Sequence, residues 1–334
     1  MFFLEVRKLQ VTGGSSFIVT LPKRWVEKVG LKKNDPVGVI VQNDGSLLLT
    51  SKTDLEPSRG TKEIVADGLD CDYLFRLLVA AYVTGYSRIV VKAARIDPSV
   101  RDCVIKFNNT AIGFEVMEES QESIILKDLL NPAEMPFKRT IRRMYSLVKT
   151  MHEEAITALK EGDVALAKDV VSRDVDVDRL HWLIYRQFSM VSNDISLFRK
   201  KGITNEDALY YSLMSMMMER IGDHAVILAG RVPDLLDKGV DKKVVNVVSK
   251  ASDTALKVLD NSMEAWFNGD IDAANENMKC LKGLYPFYEE ITNSAVKSEN
   301  KNYIELGYIA ESIRRTGEYA GNISEIVIDR ALTS

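Results

Sequence analysis

The sequence predicts a multidomain α+β chain: a small β domain, a small α/β middle domain and a C-terminal all-α pair of three-helix bundles. Three observations predict it. Short apolar runs in the first fifty residues are split by Gly13-Gly14 and by Asn43-Asp44-Gly45. Residues 61–128 alternate strand-like and helix-like patterns. Beyond Pro136 apolar residues recur at helical spacing, and only Pro233 and Pro286 occur there against six prolines before.

Taken in order, Arg7 to Leu31 reads as a strand, a Gly-Gly turn, a second strand and a short helix opened at Pro22. The apolar runs Val37–Val41 and Leu47–Thr50 follow, and Asp-Gly between two such runs is a strong hairpin signal. A unit of about fifty residues is too small to bury a good core alone, so it should dimerise. Residues 1–52 hold eight Lys/Arg against four acids, which is +4. The whole chain is −4, so the remainder carries −8. A basic module on an acidic body places a nucleic-acid surface at the N-terminus.

Val6-Arg7-Lys8, Gly13-Gly14-Ser15-Ser16, Ile18-Val19-Thr20-Leu21-Pro22-Lys23, Trp25, Gly30-Leu31 and Asp44-Gly45 together resemble the AbrB/SpoVT family of swapped-hairpin DNA-binding domains, over residues 1–52. Asn34-Asp35-Pro36 departs from the family's usual Gly-Asp, so that turn must be built differently. The resemblance implies two interleaved protomers with basic residues on DNA. It places Arg7, Lys8, Lys23 and Arg24, which flank the turn, on that face. Arginine can pair bidentately with guanine and lysine mainly neutralises phosphate. Arg7 and Arg24 are therefore the candidate base readers, and Lys8, Lys23 and Lys28 the phosphate contacts. Ser15 and Ser16 could touch the backbone or serve only as turn residues. Trp25 fits the core of a swapped dimer better than a base stack.

The 334 residues are 46% hydrophobic and 28% charged, ordinary for a globular protein of two or three domains. Cys71, Cys103 and Cys280 are far apart in sequence and form no CxxC, which fits a reducing cytoplasm. Met1-Phe2-Phe3-Leu4 is too short for a signal peptide, and no run approaches the ~20 apolar residues of a membrane span. Cytoplasmic location is expected, with any membrane association going through a partner.

Asp54–Gly60 reads as a linker. The middle domain, 61–128, then offers a strand at Lys62–Ala66, a helix at Tyr73–Thr84, a strand at Arg88–Lys92 and a helix from Asp97-Pro98 to Asn108. A hairpin of Phe114–Glu118 and Ser123–Lys127 ends it. It contains no Gly-rich phosphate loop, and packing or dimer spacing is the favoured role. Leu129–Pro136 is the next boundary.

From 137 to 332 the pattern gives six helices, about 138–160, 163–200, 205–236, 241–268, 270–298 and 301–332. Short connections at Gly162-Asp163 and Gly269-Asp270 argue antiparallel packing. The region repeats: Arg220-Ile-Gly-Asp-His-Ala225 is echoed by Arg315-Thr-Gly-Glu-Tyr-Ala320. A glycine inside a helix costs ~1 kcal/mol against alanine. Its presence at matching places suggests close helix approach or room for a site.

Glu219-Arg-Ile-Gly-Asp223-His224-Ala225 and Asp174-Val-Asp-Val-Asp178-Arg-Leu180 make this region resemble the PhoU family of phosphate-signalling proteins. The resemblance implies a regulator that represses phosphate uptake and binds metal through these acids. An AbrB-like module ahead of a PhoU-like body is similar to archaeal phosphate uptake regulators.

Asp174 with Asp178, and Glu219 with Asp223, are four apart, so each pair shares a helix face. Adjacent antiparallel helices would present four carboxylates to one spot, where they raise each other's pKa unless a hard cation takes them. His181 and His224 could add nitrogen ligands and favour iron, zinc or manganese. The bland alternative is solvated helix faces with local pairs, Asp174 near Arg173 and Glu219 near Arg220. The second half departs from the pattern, with Arg314, Glu318, Leu281 and Tyr285 at the matching places. At most one divalent or iron-type cluster, in the first half, is expected.

An enzyme is not expected. The Glu-x-x-His of dimetal bundles is absent before His152, His181 and His224, and no catalytic triad, Walker loop or nucleophile elbow stands out. The methionines at 214 and 216–218 fit core gaps better than a soft-metal site. The expected function is a homodimeric DNA-binding regulator of phosphate uptake. The alternative is an adaptor that represses a phosphate ABC transporter by docking on its ATPase. Swapped-hairpin domains also serve as antitoxin halves, which makes a protein partner for the N-terminal module credible.

Overall fold

The computed structural model describes residues 5–14, 16–41, 45–51, 59–130, 135–193, 202–297 and 303–333. Ser15, the Asn43-Asp44 pair, most of the 54–60 linker, part of the 129–136 boundary and residues 194–200 lie outside the described residues. The chain forms two compact units, Met1–Glu56 and Pro57–Ser334.

In the first unit β1 (Gln10–Thr12) and β2 (Ser16–Ile18) pair antiparallel, with Val11 opposite Phe17. Gly13 and Gly14, in the connection between the paired Thr12 and Ser16, both take left-handed backbone, φ 62° and 84°, which side chains resist. Helix α1 (Lys23–Lys28) starts after Pro22, and β3 (Gly38–Val41) pairs with β4 (Leu47–Thr50). Asn34 takes the left-handed turn position, φ 73°, and Asp35 closes the turn by accepting from the Lys32 N–H at 2.7 Å. That is how the Asn-Asp-Pro departure is built. No described residue of this unit is buried, and Phe17 and Val41 are each about two-thirds exposed.

The second unit opens with a four-stranded sheet of order β5-β6-β8-β7. Its strands are β5 (Arg59–Val65), β6 (Tyr86–Lys92), β7 (Phe114–Glu119) and β8 (Ser123–Asp128). β5 and β6 are parallel, joined through α2 (Cys71–Thr84), and β8 lies antiparallel between β6 and β7. Ile64, Ile89, Val91, Ile124 and Leu126 share one face and form one core with α2 and α3 (Pro98–Thr110). Asp70 and Asp97 cap the two helices through their side chains, as the sequence suggests for Asp97. Cys103 Sγ donates to the Cys71 carbonyl at 3.1 Å, so two cysteines that stand apart in the sequence meet between α2 and α3.

The helical body follows as α4 (Phe137–Glu161), α5 (Val164–Ser172), α6 (Asp174–Asn193), α7 (Asn205–Lys238) and α8 (Lys242–Asn268). Then come α9 (Ile271–Cys280), a short 3₁₀ turn (Leu281–Leu284), α10 (Tyr285–Lys297) and α11 (Tyr303–Thr333). The second and fifth helices are thus each broken. In the first half the break is one residue, Arg173, and α6 restarts with acids at Asp174 and Asp176, the charge a helix N-terminus favours. In the second half Pro286, which has no N–H, follows the 3₁₀ turn. The two halves share one continuous core running from Phe137 to Val327. Gly222 meets Val177 and Val148, and Gly317 meets Leu284 and Leu281, so the repeated glycine marks close helix approach in both halves.

The sheet layer is fastened to the body through α6. Trp182 packs edge-on to Phe75 with ring centroids 6.0 Å apart, and Arg179 Nε donates to the Thr110 carbonyl at 3.2 Å. Arg186, 1% exposed, donates to the Tyr82 carbonyl at 2.5 Å and to Asp128 Oδ2 at 2.6 Å. Its guanidinium also lies 4.9 Å from the Tyr82 ring centre and 5.1 Å from that of Phe114.

Candidate functional site

α6 and α7 pack against each other, and they bring the four acids of the first half within electrostatic reach. Asp174 stands at the start of α6 and Asp178 one turn on, while Glu219 and Asp223 occupy successive turns of α7. Burial raises the pKa of all four. Asp178 is pushed furthest, up to about 7, by burial and then by the charges of Asp174, Glu219 and Asp223.

The local pairs of the bland reading form only in part. Arg173 turns to Glu154 and, at 3.1 Å, to Asp169, and leaves Asp174 without it. Arg220 reaches both Glu219 and Asp223, each at 3.6 Å, and is itself half exposed. Arg220, loosely held, therefore reaches two of the four acids. As placed, no group of three or more His, Cys, Asp or Glu among the described residues is set to hold a metal ion. In chemistry the donor set still fits a hard cation, because all four groups are carboxylates whose mutual repulsion a divalent ion would remove.

The two histidines part company. His181 Nδ1 lies 3.0 Å from Ser215 Oγ, and that hydroxyl donates to the Ser212 carbonyl. Nδ1 must then carry the proton, which leaves the Nε2 lone pair available. Burial and then Arg220 hold this imidazole down to about 4, so it is neutral near pH 7. His224 instead stacks on Tyr319 of α11, 5.8 Å between centroids.

In the second half Arg314 pairs with Glu311 at 2.6 Å and with Glu318, and Arg315 bridges the same two glutamates at 3.0 and 3.2 Å. Two arginines balance two glutamates there, so the repeat keeps the helix geometry and loses the excess negative charge.

Residues 141–232, which hold both acid pairs, match the PhoU domain model. Over that stretch the chain resembles a PhoU domain. Residues 10–56 match the model of the antidote-toxin recognition protein MazE, a bacterial antitoxin. Among curated proteins, a phosphate-specific transport system accessory protein PhoU homolog of Pseudomonas putida is 25% identical over 198 residues, covering 55% of this chain and 73% of the relative. The homolog of Zymomonas mobilis is 25% identical over 194 residues, 56% of this chain and 80% of the relative. The crystal structure of PhoU from Pseudomonas aeruginosa shares the fold at TM-score 0.51 and 20% identity, over 59% of this chain and 96% of that one. PhoU from Streptococcus pneumoniae does so at 0.51 and 15%, over 59% and 94%.

In the basic hairpin of the first unit, Arg7 pairs with Glu5, and Lys23 reaches Glu27 at 3.6 Å. Lys8, Ser16, Arg24 and Lys28 are exposed, and Trp25 is half-buried. The Cys71–Cys103 contact and the Arg186–Asp128 pair escaped the sequence reading, since neither has a local signature.

The raised Asp178 carboxyl has a measurable consequence. Its folded value, about 7, lies above the ordinary 3.8, so the folded chain binds the extra proton. Stability from this group is complete below the ordinary value and is lost as pH rises through about 7. Melting temperature should therefore fall between about pH 4 and about pH 7, and Asp178→Asn should flatten that fall. With the partial exposure discounted, the variant should gain ~1–2 kcal/mol at the alkaline end, or about 2–6 °C. Parallel curves for the two proteins would refute this account of the site.

Proposed function

We propose that this chain is a cytoplasmic, homodimeric DNA-binding transcriptional regulator of phosphate uptake and homeostasis, with the PhoU domain as its sensing part. The observation that carries the reading is the pairing in one chain of an antitoxin-type hairpin module at 10–56 with a PhoU domain at 141–232. The +4 charge of residues 1–52 supports a nucleic-acid face. The unburied apolar side chains of the same unit, Phe17 and Val41 among them, support interleaving with a second copy. A two-fold dimer reads a near-palindromic operator.

In this reading Asp174, Asp178, Glu219 and Asp223 would hold a divalent or iron-type cation, with the His181 Nε2 lone pair within the same helix pair. The cation would supply charge neutralisation between α6 and α7. Signal and DNA are then coupled to the extent that the signal binds two states of the body unequally. Among the described residues no helix is long and apolar enough to cross a membrane, in keeping with a location away from the bilayer core.

The test is binding of the full-length protein to DNA from upstream of its phosphate-transport genes, followed by fluorescence anisotropy across a salt series. Selective binding with a steep salt slope is expected. The double variant Arg7→Ala/Arg24→Ala should bind about 10- to 100-fold more weakly, the loss of one or two base-reading contacts. Binding no tighter than to random DNA would reject the reading.

A second reading is favoured by the description of the N-terminal model as a toxin-recognition protein, and by the accessory-protein names of the curated relatives. In it the body represses a phosphate ABC transporter by docking on its ATPase, and the hairpin module dimerises or binds protein. Failure of DNA binding with capture of the ATPase by the full chain would select it.

A further inference from the structure

The two helices of the sheet layer, α2 and α3, pack together, and a pair of thiols meets between them. Cys71 is the first residue of α2 and is partly exposed. Cys103 lies half-way along α3 and is fully buried. The Cys103 thiol donates to the Cys71 carbonyl at 3.1 Å and is also in hydrogen-bonding contact with the Cys71 side chain. Burial and then this neighbour push the Cys103 thiol up to about 12, so it is protonated near pH 7. The third cysteine, Cys280, is exposed at the end of α9 in the helical body.

The pair joins an accessible thiol to a shielded one. A reagent in solvent reaches Cys71, while Cys103 belongs to the core on which Cys71 packs. A buried cysteine alone is inert. Here it faces a second thiol, so a sulfur activated at position 71 has its partner already in place. Phe75 follows Cys71 by one helical turn and Phe107 follows Cys103 by one turn, with their rings edge-on and 6.4 Å between centroids. Trp182 of α6 packs on Phe75. The thiols therefore sit one turn from the rings on which α6 rests.

We propose that Cys71 and Cys103 form a peroxide-sensitive redox site that closes to a disulfide between α2 and α3. The Cys71 thiolate attacks one oxygen of hydrogen peroxide and the O–O bond breaks. Cys71 becomes a sulfenic acid, and the departing hydroxide takes up the proton that the thiol lost, giving water. The Cys103 sulfur then attacks the Cys71 sulfur, the S–S bond forms and the S–O bond breaks. The second hydroxide leaves with the Cys103 proton as water. Two thiols are oxidised to one disulfide, and one peroxide is reduced to two waters. A transient disulfide of this kind is compatible with a reducing compartment. The acid site on α6 and α7 and the N-terminal hairpin take no part, so the proposal stands apart from the DNA-binding reading.

The full-length Cys280→Ser protein, which keeps only this pair, is reduced, treated with hydrogen peroxide, blocked with N-ethylmaleimide and mapped by mass spectrometry without reductant. The product should be lighter by two hydrogens, take up no maleimide and yield a cross-linked peptide pair holding Cys71 and Cys103. Dithiothreitol should restore both thiols. In Cys103→Ala on the same background, an apolar replacement at a buried site, the Cys71 sulfenic acid has no partner. Its capture by dimedone should then rise at least about fivefold, with the circular dichroism unchanged. Oxidation of Cys71 to the sulfinic acid with Cys103 still free, or no oxidation of either thiol, would overturn the proposal. So would equal dimedone capture with and without Cys103.

Discussion

Arg186→Ala should cost about 3–5 kcal/mol and separate the sheet layer from the helical body before the body melts. Arg186 and Asp128 are 1% and 7% exposed, and they meet at 2.6 Å. Burial raises the Asp128 pKa, and the attraction of Arg186 lowers it by less, so the desolvation of the pair exceeds what the pairing returns. Such a pair contributes little net stability as a pair, yet removing one member strands the other charge in the interior, which is the costly event. The alanine variant also loses the donor to the Tyr82 carbonyl and the stacking on Tyr82 and Phe114. The replacement Arg186→Met/Asp128→Leu should recover most of the loss, because it leaves no buried charge. Denaturant melts monitored at Trp182, which sits on the Phe75 side of the same contact, would report it. A loss below about 1 kcal/mol in Arg186→Ala would mean that the pair is solvated in the folded state.

This contact gives α6 two tasks. One end carries Asp174 and Asp178 toward α7, and successive turns carry Arg179, Trp182 and Arg186 into the sheet layer. The sheet layer, 59–128, has its own core and a charged bolt into the body. A change of charge at Asp178 therefore acts on the helix that the sheet layer grips.

What the sequence made legible was local chemistry. Gly13-Gly14 announces a turn because only positive φ fits there. The alternation in 61–128 fixes the order and type of its elements, since a half-buried sheet and a helix have different periods. The acid pairs can be placed on α6 and α7 because four residues make one helical turn. The missed features are those set by partners distant in sequence. Arg186 and Asp128 are 58 residues apart, and Cys71 and Cys103 are 32 apart. The helix breaks are a different case. Asp174 was read as a ligand, although it and Asp176, acids two residues apart, also mark a helix start. Pro286 was visible as well, and its missing N–H is enough to end a helix before it. Of the two local pairs in the bland alternative, Arg220 does reach Glu219, while Arg173 is drawn off by Glu154 and Asp169.

The repeated glycine provides a sharp comparison of the two halves. At Gly222 an added Cβ would lie 3.2 and 3.4 Å from the Val177 methyls and 3.5 Å from Val148. Those contacts are tight, but small shifts relieve them, and alanine regains ~1 kcal/mol of helix propensity. Gly222→Ala should therefore change stability by less than about 1 kcal/mol in either direction. At Gly317 the same atom would overlap Leu284 Cδ1 outright and lie 3.3 Å from Leu281 Cδ1. Leu284 is 3% exposed and sits in the 3₁₀ turn that joins α9 to α10, so its side chain has packed neighbours to push against. Overpacking of this kind costs ~1–3 kcal/mol and here outweighs the propensity gain. Gly317→Ala should be destabilised by about 1–2 kcal/mol, and Gly317→Ala/Leu284→Ala should be less than additive, because the second change removes the atom that the first one strikes. Equal effects at the two glycines, or full additivity in the double variant, would show that Leu284 moves aside freely and that the close approach in the second half is slack.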